Sequence, residues 1–172
     1  HGHGPGEDMS AWTEDQLFSS KSNEWATPQD LFDVLNREFK FDVDVAASEH
    51  NHKCTTYWTK DDDALGLKWS APWYPGGGRF WCNPPYGRSI DKWVRKCYRE
   101  SQRGALVVAL LFSRTDTAWF QDYCMMATEI RLIRGRLKFV RDDGKTGQAP
   151  APSMVVIWDG REGPRFTTME RP

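Results

Sequence analysis

Asn83, Pro84, Pro85 and Tyr86 stand between an apolar run, RFWC, and a stretch with helical spacing. The two prolines fix two φ angles and remove two backbone donors. The Pro84 carbonyl is thereby held in place and can accept a bond from elsewhere. Asn83 adds a side-chain carbonyl beside it. Two acceptors so close together can take both hydrogens of an exocyclic amine. Tyr86 offers a flat face on which a planar base can stack. An amine held this way is pushed toward a tetrahedral, more nucleophilic form, its lone pair toward an electrophile. The segment contains no strong general base, and attack on a sulfonium methyl does not demand one. The competing reading is a plain strand-ending turn with Tyr86 tucked into the core.

The surrounding pattern predicts what holds this segment. WATPQDLFDVLNREF reads as an amphipathic helix, with Thr27 as N-cap, Pro28 at the first helical position and Leu31, Phe32, Leu35 and Phe39 on one face. FKFDVDVAAS reads as a strand ending near Asp44 to Ala46, and CTTYWT as a second strand running into Asp61, Asp62 and Asp63. DDALGLKW suggests a short helix and WYPGGG a turn. RFWCN is a third strand, stopped by the prolines. Ile90, Trp93, Val94, Cys97 and Tyr98 then mark the apolar face of a helix over 88–103. ALVVALLF reads as a central parallel strand, and TDTAWFQDYCMMA as a helix capped by Thr115 or Asp116. EIRLI, RLKFV and MVVIW are strands, with Arg134-Gly135 as a connection, and 142–153 is a long Gly/Pro-rich loop. Helices alternating with strands, followed by a strand-rich end, indicate an α/β three-layer fold whose sheet is mostly parallel with a late antiparallel edge. Ligands of such sheets bind beyond the carboxyl ends of the strands. Asp44, Asp61 to Asp63 and Asn83 all fall at such ends.

The chain has 172 residues, enough for one domain with a sizeable core. Residues 1–24 read as a tag remnant and arm, 25–160 as the domain and 161–172 as a tail. The longest apolar run, Ala105 to Phe112, is far too short to span a membrane. Cys54, Cys82, Cys97 and Cys124 match no zinc spacing and suggest reduced thiols in a cytoplasmic setting. His50, His52 and Cys54 alternate but lack a fourth ligand, so a solvated turn is expected and no metal. The net charge of −1 hides an asymmetry. Residues 1–78 carry 6 Lys+Arg against 14 Asp+Glu, and residues 79–145 carry 14 against 7. A basic half beginning at the proline segment suggests a polyanionic partner. Ordinary solvated helix faces would give the same count.

With these pieces in order, WATPQDLFDVL, FDVDVAAS, YWTKDDDAL, FWCNPPYGRSIDKWV and GALVVALLFSR, the sequence resembles the phage-type Dam family of DNA adenine-N6 methyltransferases over roughly residues 25 to 158. The resemblance implies a Rossmann-like class I methyltransferase fold, S-adenosyl-L-methionine as methyl donor and DNA, taken as double-stranded, as partner. For a phage protein it implies the host cytoplasm, with protection from restriction as the purpose. It gives Asn83, Pro84, Pro85 and Tyr86 the catalytic role. Trp25, Thr27 and Pro28, with Asp44, Ala46, Ala47 and Ser48, would contact the methionine end of the cofactor. Glycines are common at that loop in methyltransferases, and small residues stand here instead. Asp62, or Asp61 or Asp63, would meet the ribose hydroxyls or the adenine. Arg134, Arg136 and Lys138 would reach phosphates, with Arg88 beside the motif. Phe139 would face Tyr86 across the target base, with a core position as its alternative. The implied mechanism extrudes the base from the duplex.

Asparagine-proline chemistry also serves N4-cytosine and glutamine-side-chain methylation. The basic half argues against a protein substrate, and the resemblance favours adenine over cytosine. A catalytically silent binding module is the non-enzymatic alternative. A dinucleotide-dependent oxidoreductase is disfavoured, because no G-x-G-x-x-G follows the first strand. No long insert offers a separate recognition domain, so a short target or relaxed specificity is expected. Oligomeric state and target sequence leave no trace in the sequence.

Overall fold

The computed structural model describes residues 26–141 and 143–172. Helix α1 (Gln29–Phe39) comes first, its apolar residues Leu31, Phe32, Leu35 and Phe39 all buried. Thr27 does not cap it. Pro28 occupies the N-cap position, and Asp30 Oδ1 accepts from the Leu31 amide at 2.8 Å inside the first turn. At the other end Lys40 turns left-handed at φ 53°, and Asn36 Oδ1 accepts from the Phe41 amide at 2.9 Å. The chain is thereby directed into β1.

Strands β1 (Val43–Asp44), β2 (Thr56–Tyr57), β3 (Arg79–Cys82) and β4 (Leu106–Phe112) pair in parallel in the order β2-β1-β3-β4. Beyond β4 lie β8 (Ser153–Trp158), β5 (Glu129–Ile133) and β9 (Arg165–Met169). The late antiparallel element is β8, which runs against both β4 and β5, while β5 and β9 are parallel. The seven-stranded sheet is thus mostly parallel. Residues 165–169, expected in a tail, are sheet. The expected loop over 142–153 holds a strand, β7 (Thr146–Gln148), because Lys138–Val140 (β6) needs a partner and finds it there in a separate hairpin. The Ala26–Val140 bridge fastens that hairpin to the start of the domain.

Side chains alternate across the sheet and build two cores. On one face α1 covers Trp81, Val108, Leu110, Phe112, Val155 and Ile157. On the other, helices α2 (Ile90–Gln102) and α3 (Ala118–Tyr123) cover Phe80, Cys82, Val107, Ala109, Leu111 and Val156. The result is the three-layer arrangement. Helix α3 is shorter than its sequence pattern, and its cap is Thr117, whose hydroxyl accepts from the Phe120 amide at 3.3 Å. Thr115 and Asp116 come too early for that geometry. The predicted helix at DDALGLKW is a single 3₁₀ turn, Ala64–Gly66. The turn before β3 requires glycine at Gly78, where φ is 97° and a Cβ would lie 2.6 Å from the Phe80 ring.

Part of the basic half is consumed inside this framework. Glu100 on α2 has a fully buried side chain, where it meets Lys96 and Arg103 at 2.8 Å and accepts from the Trp69 amide at 3.1 Å. Removing its carboxylate leaves the Lys96 ammonium and the Trp69 amide without their buried acceptor. Glu100→Ala is therefore expected to cost about 3 kcal/mol of unfolding free energy in urea denaturation. A change no larger than that of an exposed substitution would show that the cluster does not hold α2 to the 64–70 segment.

Candidate active site

The parallel ladders bring the carboxyl ends of β1, β3 and β4 side by side. Val43 pairs with Phe80 and Asp44 with Trp81, while Cys82 pairs with Ala109. Asn83, one step beyond Cys82, is level with Leu110. It lies between the end of β1, where Asp44 is, and the end of β4, where Phe112 is.

Asp44 is 4% exposed. Its Oδ2 accepts from the Lys53 amide at 2.9 Å and its Oδ1 from the Ala46 amide at 3.3 Å. Burial pushes the carboxyl up to about 6, against the pull of those two amides and of the Lys53 and His52 charges. A carboxylate so poorly solvated would gain from a positively charged neighbour. The following loop is pinned through the Ala47 amide, which donates to the Trp58 carbonyl at 2.9 Å. Ser48 is spent on its own turn, its Oγ accepting from the Asn51 amide at 3.0 Å. Asp62 likewise serves its own 3₁₀ turn, its Oδ2 accepting from the Thr59 amide at 2.7 Å, and all of Asp61 to Asp63 are exposed. Thr27 is buried, and its hydroxyl finds no partner among the described residues. Pro28 enters α1, and its carbonyl accepts from the Phe32 amide. Trp25 lies outside the described residues. His52 stacks on Tyr57 with ring centroids 4.0 Å apart. Among the described residues no group of three His, Cys, Asp or Glu is placed to hold a metal.

Around Asn83 the proline segment folds inward. Pro84 is buried and Pro85 exposed. The Tyr86 ring stacks on Phe112 at 4.2 Å and 17°. Its hydroxyl lies 3.2 Å from Asn83 Oδ1 and 3.3 Å from the Leu110 carbonyl. Burial raises its pKa well above the ordinary phenol range, so it remains a donor. Phe139 is fully buried and meets Tyr86 edge-on at 6.5 Å and 73°. It is a core side chain that touches the site.

The proposed phosphate contacts separate into two groups. Arg88, Arg134 and Lys138 are exposed, Arg134 beside Glu170 at 3.5 Å. Arg136 is held inward, its Nη1 donating to the Ala149 carbonyl at 3.2 Å. Arg131, counted in the basic half, is bound to Glu38 and Glu129 and lies over the Phe39 ring. A cleft of about 610 Å³ opens beside Pro28, Arg134, Lys138 and Arg171. Sequence reasoning passed over Phe112 and the Leu110 carbonyl. Both lie in the last three residues of ALVVALLF, the strand the sequence marks as central.

The family model described as DNA N-6-adenine-methyltransferase (Dam) matches residues 14–172. The chain belongs to the Dam family. It is 30% identical over 153 residues to the DNA N-6-adenine-methyltransferase of Haemophilus phage HP1 (strain HP1c1), across 86% of this chain and 84% of that protein. It is 30% identical over 141 residues to the DNA N-6-adenine-methyltransferase of Escherichia phage T1, across 73% of this chain and 56% of that protein. This Dam-family member is an adenine-specific DNA methyltransferase. No helix among the described residues is long and apolar enough to cross a membrane.

The raised pKa of Asp44 has a consequence for the stability of the free Dam-family protein. A carboxyl whose folded value lies near 6, against 3.8 when unperturbed, stabilises the fold fully below about 4 and loses that contribution as pH rises through about 6. The swing is on the order of 3 kcal/mol. Unfolding free energy should therefore rise as pH falls from 7 toward 5. Asp44→Asn should flatten that dependence. An unchanged slope in the variant would assign the titration elsewhere.

Proposed function

We propose that this Dam-family enzyme transfers a methyl group from S-adenosyl-L-methionine to the N6 amine of an adenine turned out of duplex DNA. What supports the reading is the placement of Asn83, with Pro84 next to it and Tyr86 packed alongside, at the carboxyl end of β3 between Asp44 and Phe112.

The residues present fit the donor. Asp44 is a buried carboxylate held at a raised pKa, and an ammonium group close to it would relieve that cost. Thr27 has a buried hydroxyl without a partner among the described residues. Thr27, Pro28, Asp44, Ala46 and Ala47 would hold the methionine end, with Trp25 preceding them in sequence. Ser48 would shape the loop from behind through its turn. Asp62 retains Oδ1 for a ribose hydroxyl while Oδ2 caps its turn. When bound, S-adenosylmethionine supplies a methyl group on a positively charged sulfur, which passes to nitrogen as its carbon–sulfur bond breaks.

The chain's own groups do the rest. Asn83 Oδ1 and the Pro84 carbonyl accept the two N6 hydrogens, which drains the amine of its conjugation with the ring and frees its lone pair. Pro85 keeps the segment rigid. Tyr86 carries the base on the face turned away from Phe112. The extra proton leaves to water after transfer. Extrusion costs a few kcal/mol of unstacking. Contacts from Arg88, Arg134 and Lys138 to the backbone would offset it, with affinity falling as salt rises.

Incubation with S-adenosylmethionine and unmethylated duplex DNA, followed by digestion and mass spectrometry, should yield N6-methyladenosine as its deoxynucleoside. Asn83→Ala should lower that yield on the order of a hundredfold or more while cofactor binding persists. Turnover at the ordinary rate would remove Asn83 from the chemistry. By calorimetry, cofactor affinity should strengthen as pH rises through about 6, where Asp44 ionises, and lose that dependence in Asp44→Asn. A pH-independent affinity in the unaltered enzyme would move the ammonium partner away from Asp44.

A further inference from the structure

We propose that Phe112 is a positioning residue for methylation, holding the Tyr86 ring as a preformed platform for the target base. The inference rests on the reading of Asn83 and Tyr86 given above and adds a group outside the proline segment.

Phe112 ends β4, is 4% exposed and lies on the α1 side of the sheet. Its ring is nearly parallel to that of Tyr86, 4.2 Å away at 17°. Phe139 closes the group edge-on, 6.5 Å and 90° from Phe112. The Arg114 guanidinium stands 5.9 Å from the Phe112 ring centroid. The phenol of Tyr86 is fixed at its far end by two carbonyl oxygens, Asn83 Oδ1 and Leu110 O. The ring is thus anchored at its tip by hydrogen bonds and along one face by Phe112. A base would take the face opposite Phe112.

This arrangement has a physical consequence. A tyrosine in a turn, free to rotate about χ1, would lose that freedom when a base stacks on it, and each such loss weakens capture. Phe112 removes that freedom before DNA arrives. A strand-end side chain suits the task, because β4 is central in the sheet and β8 pairs with it through Phe112 itself, opposite Ser153. An aliphatic side chain of similar bulk would fill the core but present no flat surface.

The test compares Phe112→Leu with Phe112→Tyr, each alone and in a Tyr86→Ala background. Tritiated S-adenosylmethionine and unmethylated duplex DNA are the substrates, and thermal melting is followed in parallel. Phe112→Leu should raise KM for DNA about two- to tenfold, the scale of one aromatic pair, with kcat changed less than KM. Phe112→Tyr, which keeps the flat ring, should restore KM toward its ordinary value. In the Tyr86→Ala background the Phe112→Leu effect on KM should vanish. An unchanged KM in Phe112→Leu, no difference between the leucine and tyrosine variants, or an effect that persists without Tyr86 would each overturn the proposal. Full turnover by Asn83→Ala, or an unchanged KM in Tyr86→Ala, would instead bring down the underlying site.

Discussion

The pairing of β3 with β1 on one side and β4 on the other determines where every candidate catalytic group lies. Strand β3 is only four residues long, yet its two ladders set Asp44, Asn83 and Phe112 at one edge of the sheet. So short a strand cannot hold itself. Trp81 packs edge-on against Phe32 of α1 on one face, and Phe80 meets Trp58, Trp69 and Tyr74 on the other. Three of the chain's nine tryptophans, Trp58, Trp69 and Trp81, serve this need. Large rings bury much area per residue and clamp a strand with few ladder bonds from above and below. The prolines then stop the strand at a defined point, so the Asn83 amide and the Pro84 carbonyl emerge at a fixed height above the sheet.

The distribution of charge follows two different demands. Lys96 and Arg103 neutralise the buried Glu100, and Arg131 joins Glu38 to Glu129 across to α1. These cations hold layers together. Arg88, Arg134 and Lys138 remain on the surface, Arg134 beside Glu170. A count of basic residues mixes both populations, because a cation's sequence position does not reveal whether an acidic partner folds against it.

Among the described residues Asp44 is buried with two amide donors and no cationic hydrogen-bond partner, and Thr27 and Ser153 have buried hydroxyls without partners. An unpaired buried polar group costs about 1–3 kcal/mol. Trp81 Nε1, in the core against α1, is a third such group, so these costs are not confined to the Asn83 segment. The Tyr86 phenol, in contrast, is already satisfied by Asn83 and Leu110.

Much of this was legible in the residues. Strong helical spacing located α1 and α2, continuous apolar runs located β4 and β8, and the double proline located the end of β3. These features are local, so they survive without knowledge of partners. The same reading placed the caps of α1 and α3 a residue or more off, because capping depends on the backbone angles at each candidate. It left β7 in a loop and β9 in a tail, because neither is apolar enough to announce itself and both exist only through pairing with β6 and β5. It offered Ser48 and Asp62 as cofactor ligands, though both side chains first close their own turns. The sequence by itself determined where the proline segment stands and the alternation that makes a three-layer fold. Only the tertiary structure decided that Phe112 stacks on Tyr86 and that Arg136 turns inward. It also decided that Asp44 is buried enough to titrate near 6. Each depends on contacts between residues far apart in the chain, which local pattern does not encode.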